Sequence, residues 1–350
     1  MRIGIAGAGG IALACAAWLA RQGHAVTLWA PRGNGGGPER SLVACGALET
    51  SVRLHMAGDA EALAAACDLL ILAVPANAHR AVAEALAPHL RDGMTLFVSA
   101  TASLSALHLF ECARRHGRDV TVAASGTTVL TARRESPERV RILTRRGRLG
   151  LSTLPQARWA DAAAMLENLF GALFSEDANL LASTLSNINP VAHAPLALFN
   201  WTRIERAEHW PQYHYMTPAV AHVIEAIDRE RQAVAAGYGL AVPAIEAHFA
   251  RSFGATAPDL AGIAAQLHAA RGGPPGPVDT GTRFLHEDVP FGLVFTAALG
   301  RLVSVPTPAT ETIINASSLI AGCDFASAND LIGPLDLARE TRAGLLNRVS

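Results

Sequence analysis

Arg2-Ile3-Gly4-Ile5-Ala6-Gly7-Ala8-Gly9-Gly10-Ile11-Ala12 is the stretch whose reading decides the fold. Arg2–Ala6 is apolar enough for a buried strand, the glycines after it make a tight turn, and the small and apolar residues beyond Gly10 suit a helix packed on a sheet. Gly7, Gly9 and Ala12 stand in G-x-G-x-x-A spacing. Between a strand and a helix each small residue serves a different purpose. Gly7 permits the turn, Gly9 lets the backbone approach a pyrophosphate, and Ala12 allows close helix–strand packing. The helix N-terminus, with Ala8, Gly10 and Ile11, then faces the phosphates. A second strand, Ala25–Trp29, arrives after Gln22-Gly23-His24 and separates this motif from a merely structural turn. The uncharged run Ile3 to Ala20 superficially resembles a secretory signal, but Gly4, Gly7, Gly9 and Gly10 would weaken a helical signal core.

The same alternation continues through the first half. Leu69–Ala73, Thr95–Ser99 and Val120–Ala124 read as further strands with helical stretches between most of them, the pattern of a doubly wound sheet. The run after Asp68 is apolar throughout, as a strand buried on both faces requires, and Pro75 ends it at the sheet's carboxyl edge. Arg141–Leu143 and Arg148–Ser152 are expected to pair as a hairpin about Arg146-Gly147, followed by a helix from Gln156 to Phe170. From Asn179 onward strand signals disappear and apolar positions recur at helical spacing. In Pro218–Gly237, Val220, Val223, Ile224, Ile227 and Val234 fall largely on one face, with Glu225, Arg229 and Glu230 elsewhere. A chain of 350 residues is expected to form two domains. These are a Rossmann-type α/β doubly wound domain over 1–178 and an all-α helical domain over 179–350.

The residue beyond the second strand chooses the dinucleotide. An Asp or Glu there would accept from the adenosine ribose of NAD, whereas this chain has Ala30. Arg32 follows in a loop, Gly33-Asn34-Gly35-Gly36-Gly37, able to wrap a 2′-phosphate. NADP is therefore expected, with NAD the alternative if Arg32 is only a solvated loop charge. Val74 and Pro75 should lie beside the cofactor, because ligands bind outside the carboxyl ends of such strands. The 29 basic and 30 acidic residues leave no electrostatic footprint for nucleic acid or an anionic membrane, and no stretch is long enough to span a bilayer. Five scattered cysteines without a C-x-x-C pair fit the reduced thiols of a cytoplasmic protein. His209, His214 and His222 fit no common ligand spacing, so no metal is expected.

A nicotinamide site needs a group that gives or takes a proton beside the carbon exchanging hydride. Of thirteen histidines, His193 stands out. It lies in Ser186-Asn187-Ile188-Asn189-Pro190-Val191-Ala192-His193-Ala194-Pro195, a polar, proline-bracketed insert that equally suits a hydrogen-bonded core histidine. In Arg283-Phe284-Leu285-His286-Glu287-Asp288-Val289-Pro290-Phe291-Gly292, charges stand among apolar side chains, which requires pairing or a solvated cleft. Asp288 could orient an imidazole and Arg283 hold a carboxylate in bidentate fashion, or these charges could form a structural ion pair.

These segments, with Thr217-Pro218, Glu225-Ala226-Ile227-Asp228-Arg229-Glu230-Arg231 and Val305-Pro306-Thr307-Pro308-Ala309-Thr310, resemble the octopine/nopaline, or opine, dehydrogenase family. They occur in the family's order and cover nearly the whole chain. The resemblance implies a Rossmann domain followed by a helical one. It also implies reductive condensation of an amino acid's amino group with a 2-oxo acid such as pyruvate, giving a secondary amine dicarboxylate. His193 becomes the catalytic acid/base, Asp288 the partner that raises its basicity, and Arg283, Asn189 and Thr217 the substrate-binding residues. Common members of the family carry Thr at the position of His286 and Tyr at that of Phe291. The Trp201–Tyr215 segment has no counterpart in the resemblance and is expected to shape the amine pocket or to cap the domain. Two other functions compete. Reduction of a 2-oxo acid to its hydroxy acid, of ketopantoate reductase type, relies on a lysine, and the second half has none. A non-catalytic NADP-binding regulator has no need of His193, Asp288 and Arg283 together. The apolar second domain makes a homodimer the expected assembly.

Overall fold

The computed structural model describes residues 1–33 and 37–350; Asn34, Gly35 and Gly36, the middle of the loop expected to wrap a 2′-phosphate, lie outside the described residues. Two units form, one of residues 1–184 with 347–350 and one of residues 185–346. The division falls later than the expected 178/179, because the helix Leu180–Leu185 begins on the first unit. There the Ser183 hydroxyl donates to Asp177 at 2.6 Å and lies 2.7 Å from the Ser152 hydroxyl. The Leu180 N–H donates to the Val349 carbonyl at 3.1 Å, which returns the last residues to this unit.

The first unit holds β1 (Arg2–Ala6), β2 (Ala25–Trp29), β3 (Glu39–Gly46), β4 (Thr50–Met56), β5 (Leu69–Leu72), β6 (Thr95–Ser99), β7 (Thr121–Ser125), β8 (Leu130–Ser136), β9 (Arg139–Arg145), β10 (Arg148–Leu154) and β11 (Leu173–Glu176). Their order in the sheet is β11-β10-β7-β6-β5-β1-β2-β4-β3-β9-β8. The run β4-β2-β1-β5-β6-β7 is parallel and doubly wound, with its reversal between β1 and β5. Every residue of β5 is buried, as its unbroken apolar sequence required. The helix Gly10–Arg21 covers the sheet with Ala12, Leu13, Ala14, Cys15, Ala16, Ala17 and Leu19, mostly small side chains that let it approach closely. Burial pushes the Cys15 thiol up to about 12, so it stays protonated and inert.

The expected hairpin does not form. β9 pairs with β8 and β3, whereas β10 pairs with β7 and β11. The Arg146 N–H donates to the Val129 carbonyl at 2.9 Å and its guanidinium to the Thr128 carbonyl at 2.7 Å, drawing the link onto the segment before β8 instead of folding it back. β3, β4 and β8 were not foreseen, since exposed Arg, Glu and Ser interrupt their apolar residues.

The second unit is helical, with a core that includes Val191, Ile224, Ile227, Leu285, Val289 and Ile313. The helix Pro218–Gly237 runs as expected, and within it Asp228 and Arg231 form a buried ion pair at 2.7 Å. Arg231 also donates to the Leu185 and Pro243 carbonyls, while Asp228 accepts from Gln232 and the Ile245 N–H. Glu230 accepts from the Ala309 and Thr310 N–H groups and the Thr310 hydroxyl at 2.7 to 2.8 Å, capping the helix Pro308–Ala321. Two of the segments that carry the family resemblance are therefore scaffold. In the Trp201–Tyr215 segment, the Trp210 indole N–H donates to the Pro277 carbonyl at 3.0 Å, and Trp210 and Tyr213 lie where side chains on Gly276 and Gly273 would stand. That segment holds the loop Gly272-Gly273-Pro274-Pro275-Gly276 in place. Among the described residues no helix is long and apolar enough to cross a membrane, and no three His, Cys, Asp or Glu side chains gather as a metal site.

Candidate functional site

The glycine turn lies at the sheet reversal between β1 and β5. Gly7 has φ +135°, a conformation L side chains rarely adopt, and its N–H donates to the Trp29 carbonyl at 2.8 Å. A Cβ on Gly7 would lie 2.3 Å from the Ala73 carbonyl oxygen and 3.1 Å from the Ala12 Cβ. Glycine at 7 and a small residue at 12 are thus both needed where β1, β5 and the helix meet. Gly9 caps the helix, and a Cβ there would meet nothing within 4 Å, so the backbone stands open to a ligand. The first N–H groups of the helix, at Gly10, Ile11 and Ala12, have no partners within it. These features fit a pyrophosphate.

Ala8 and Ile11 flank this opening half-buried, and Val74 and exposed Pro75 continue from β5. The Val74 carbonyl accepts from His79 Nε2 at 3.0 Å, while Nδ1 accepts from the Ser105 hydroxyl at 2.7 Å. Burial pushes His79 down to about 4, so the ring is neutral and its tautomer follows from these two partners. At the end of β2 the Gly33 N–H closes a turn on the Ala30 carbonyl at 2.8 Å, and Arg32 stands exposed within it.

The second unit brings the other candidates together. The helix Asn189–Leu198 begins with Pro190 in its first turn, where a missing N–H costs nothing, and it sets Asn189 and His193 on one face. His193 Nδ1 lies 2.8 Å from Asp288 Oδ2. The carboxylate accepts, so Nδ1 carries the proton and Nε2 presents a lone pair. The ring stacks on Phe284 with centroids 3.8 Å and planes 1° apart. The His193 side chain stays 16% accessible against 6% for Asp288. Exposed Arg283 holds its guanidinium 5.8 Å from the Phe284 centroid. Burial lowers the pKa of His193, Asp288 opposes this by charge and hydrogen bond, and Arg283 lowers it further; the net shift is downward. Asp288 does favour the charged ring, but burial outweighs it.

Local structure explains the meeting of residues so distant in sequence. Arg283–His286 is a short helical turn capped by Thr282, and the chain continues past Asp288 as a π-helix, Val289–Val294. Pro290 contributes no N–H to it, and its carbonyl accepts from the Asn329 amide at 2.8 Å. A Cβ on Gly292 would stand 2.1 Å from Pro190 Cγ. The missing side chain therefore lets the helix bearing His193 dock on the one that follows Asp288.

His286 meets the edge of Phe325 at 5.3 Å, and Phe291 is buried. Thr217 accepts the Val220 N–H at 3.5 Å and borders a depression of about 670 Å³ with Tyr213, His214, His222, Glu225 and His268, to which His193, Asp288 and Arg283 do not contribute. Sequence reasoning gave no role to Phe284, Gly292 or Asn329. Only Gly292 left a signal, since a glycine within a helix weakens it unless a close approach requires it.

Residues 176–321 match the family model described as NAD/NADP octopine/nopaline dehydrogenase, alpha-helical domain, and residues 3–156 match that of ketopantoate reductase PanE/ApbA. An opine dehydrogenase of Arthrobacter sp. (strain 1C) is 29% identical over 284 residues, 81% of this chain and 79% of that protein. Among solved structures, octopine dehydrogenase with NADH and L-arginine superposes with TM-score 0.80 at 19% identity, over 99% of this chain and 98% of that one. NADP+-bound yersinopine dehydrogenase gives 0.70 at 17% identity over 99% and 97%, and a ketopantoate reductase from Ralstonia eutropha JMP134 gives 0.63 at 18% over 92% and 99%. These structural likenesses are likenesses of fold. Sheet, glycine turn and helical unit together define an NAD(P)-dependent oxidoreductase. Within that class, residues 176–321 match the helical domain of the octopine/nopaline dehydrogenases, and the chain is similar over most of its length to an opine dehydrogenase.

Proposed function

We propose that the protein condenses the amino group of an amino acid with a 2-oxo acid such as pyruvate and reduces the product, with NADPH, to a secondary amine dicarboxylate. The observation that carries this reading is the His193–Asp288 pair, 2.8 Å apart across 95 residues of sequence. NAD(P)H supplies the hydride when bound. Protonated His193 donates from Nε2 to the oxo-acid carbonyl oxygen, which readies the carbonyl carbon for the amine, and it then assists departure of that oxygen as water. Asp288 stabilises the imidazolium and keeps Nδ1 protonated. The exposed Arg283 guanidinium suits bidentate capture of a substrate carboxylate, and that carboxylate offsets the lowering Arg283 imposes on His193. Phe284 fixes the ring plane. We assign Asn189, on the face of His193, and Thr217, which lines the same depression as Glu225, to substrate binding.

NADP is favoured over NAD because Ala30 offers the ribose no acceptor and Arg32 is exposed in the adjoining turn. A cytoplasmic setting accords with five free thiols. A homodimer accords with apolar surface on the second unit, where Leu319 is 84% exposed and Phe199 52%. The match of residues 3–156 to ketopantoate reductase favours a second reading, reduction of a 2-oxo acid to its hydroxy acid. NADPH oxidation with pyruvate, alone and with a panel of amino acids, separates the two. A rate that requires the amine and is lost in His193→Ala supports condensation, and an amine-independent rate supports the reductase. Equal rates with and without the His193 imidazole would remove it from the mechanism.

A further inference from the structure

The outer hairpin of the sheet, β8–β9, reaches the glycine turn. β8 breaks register between Thr131 and Ala132 and again between Arg134 and Ser136. The residues bracketed by these irregularities press on the start of the helix Gly10–Arg21: a Cβ on Gly10 would lie 3.0 Å from the Ala132 carbonyl oxygen and 3.1 Å from the Arg134 nitrogen. Irregularities of this kind re-aim side chains and recur beside functional sites. From here Arg134 donates through Nη1 to the Ala8 carbonyl and through Nε to the Ser136 carbonyl, both at 3.3 Å. Its neighbours use their charge otherwise, since Arg139 and Arg141 both pair with Glu135, at 2.9 and 2.5 Å.

Ala8 lies inside the turn, between Gly7 and Gly9. In a trans peptide the C=O and N–H of one unit point in opposite directions, so a donor that holds the Ala8 carbonyl also sets the direction of the Gly9 N–H. The same bond occupies a carbonyl dipole that would repel phosphate and brings a guanidinium charge to the turn. We infer that Arg134 is a positioning residue for the pyrophosphate seat, acting through the Ala8–Gly9 peptide. This rests on the glycine turn as the cofactor site. Because the pyrophosphate is common to both dinucleotides, Arg134 serves NADH and NADPH alike, whereas Arg32 is placed for the 2′-phosphate alone.

Titration of the full chain with NADH and with NADPH tests this by dissociation constant rather than by turnover. Arg134→Ala should weaken both cofactors by a similar factor, about tenfold for one charge-assisted hydrogen bond, with the melting temperature of the free protein unchanged. Arg134→Lys, which keeps a donor and the charge, should recover most of the binding, and Arg32→Ala should weaken NADPH only. Unchanged binding in Arg134→Ala, a loss confined to NADPH, a lysine variant no better than alanine, or a fall in melting temperature that accounts for the loss would each overturn the inference. If the unmodified protein binds neither dinucleotide, the reading of the turn as cofactor seat falls with it, a result distinct from the others.

Discussion

Replacing Gly292 by alanine should damage the chemistry without touching a group that performs it. The new Cβ would stand 2.1 Å from Pro190 Cγ and 2.3 Å from Pro190 Cβ. Ordinary contact begins at 3.4 Å, so the ring must retreat by about 1.3 Å, and a proline ring has no rotamer into which to swing. The displacement passes to the helix Asn189–Leu198, whose next turn carries His193. Its bond to Asp288 is 2.8 Å long and would lengthen past the range of a hydrogen bond. Overpacking of this kind costs about 1–3 kcal/mol of stability, and a misplacement of about 1 Å at the reacting centre costs about 100-fold in rate. The kcat of amine-dependent NADPH oxidation should fall by that factor while the Kd for NADPH, set by the glycine turn, holds. Steady-state kinetics, cofactor titration and urea unfolding measure the three quantities. A Gly292→Ala protein with unchanged kcat and unfolding midpoint would refute the claim that this contact places His193, and loss of NADPH binding as well would point to general unfolding instead.

On the proposed role, neutral His193 would act as base in the direction of opine oxidation. Burial holds its pKa below the ordinary value near 6.5, so kcat/KM should persist down to about pH 6.5 and decline only below it. Asp288→Asn removes the group that favours the charged ring. It should move that limb to lower pH and reduce kcat by about 100- to 10,000-fold; a limb above 6.5, or one the substitution leaves in place, contradicts the pairing. His79 gives a stability effect of known sign. Its folded value of about 4 lies below the unfolded value near 6.5, so the unfolded chain binds the extra proton, and stability present above pH 6.5 is lost as pH falls towards 4. The loss approaches about 3 kcal/mol, and His79→Gln should flatten the profile of unfolding free energy against pH between those values. An unflattened profile would show that His79 is not the titrating group. Arg231→Leu strands the buried Asp228 carboxylate and should cost about 3–5 kcal/mol in chemical denaturation.

Local requirements were legible in the chain itself. Gly7, Gly9 and Ala12 answer to a turn and a close approach within a dozen residues, so their spacing exposes them. β5 is apolar because both its faces are covered, and the helix Pro218–Gly237 shows its buried face as a period. β3, β4 and β8 carry no such mark, because a half-exposed strand in an outer part of the sheet tolerates polar residues where a central one does not. His193 and Asp288 were singled out by composition and by family resemblance, and neither segment by itself distinguishes a catalytic pair from a core histidine and an ion pair.

The sequence by itself determined a doubly wound dinucleotide unit followed by a helical one, because periodicity and turn chemistry act between near neighbours. Tertiary structure decided that β9 and β10 part company, that Pro190 sits in the space left by Gly292, and that Arg134 reaches the Ala8 carbonyl. It also decided the sign of the His193 shift, in which burial outweighs the charge of Asp288. Each of these depends on surfaces brought together from distant parts of the chain, and on the water they exclude, which no local pattern records.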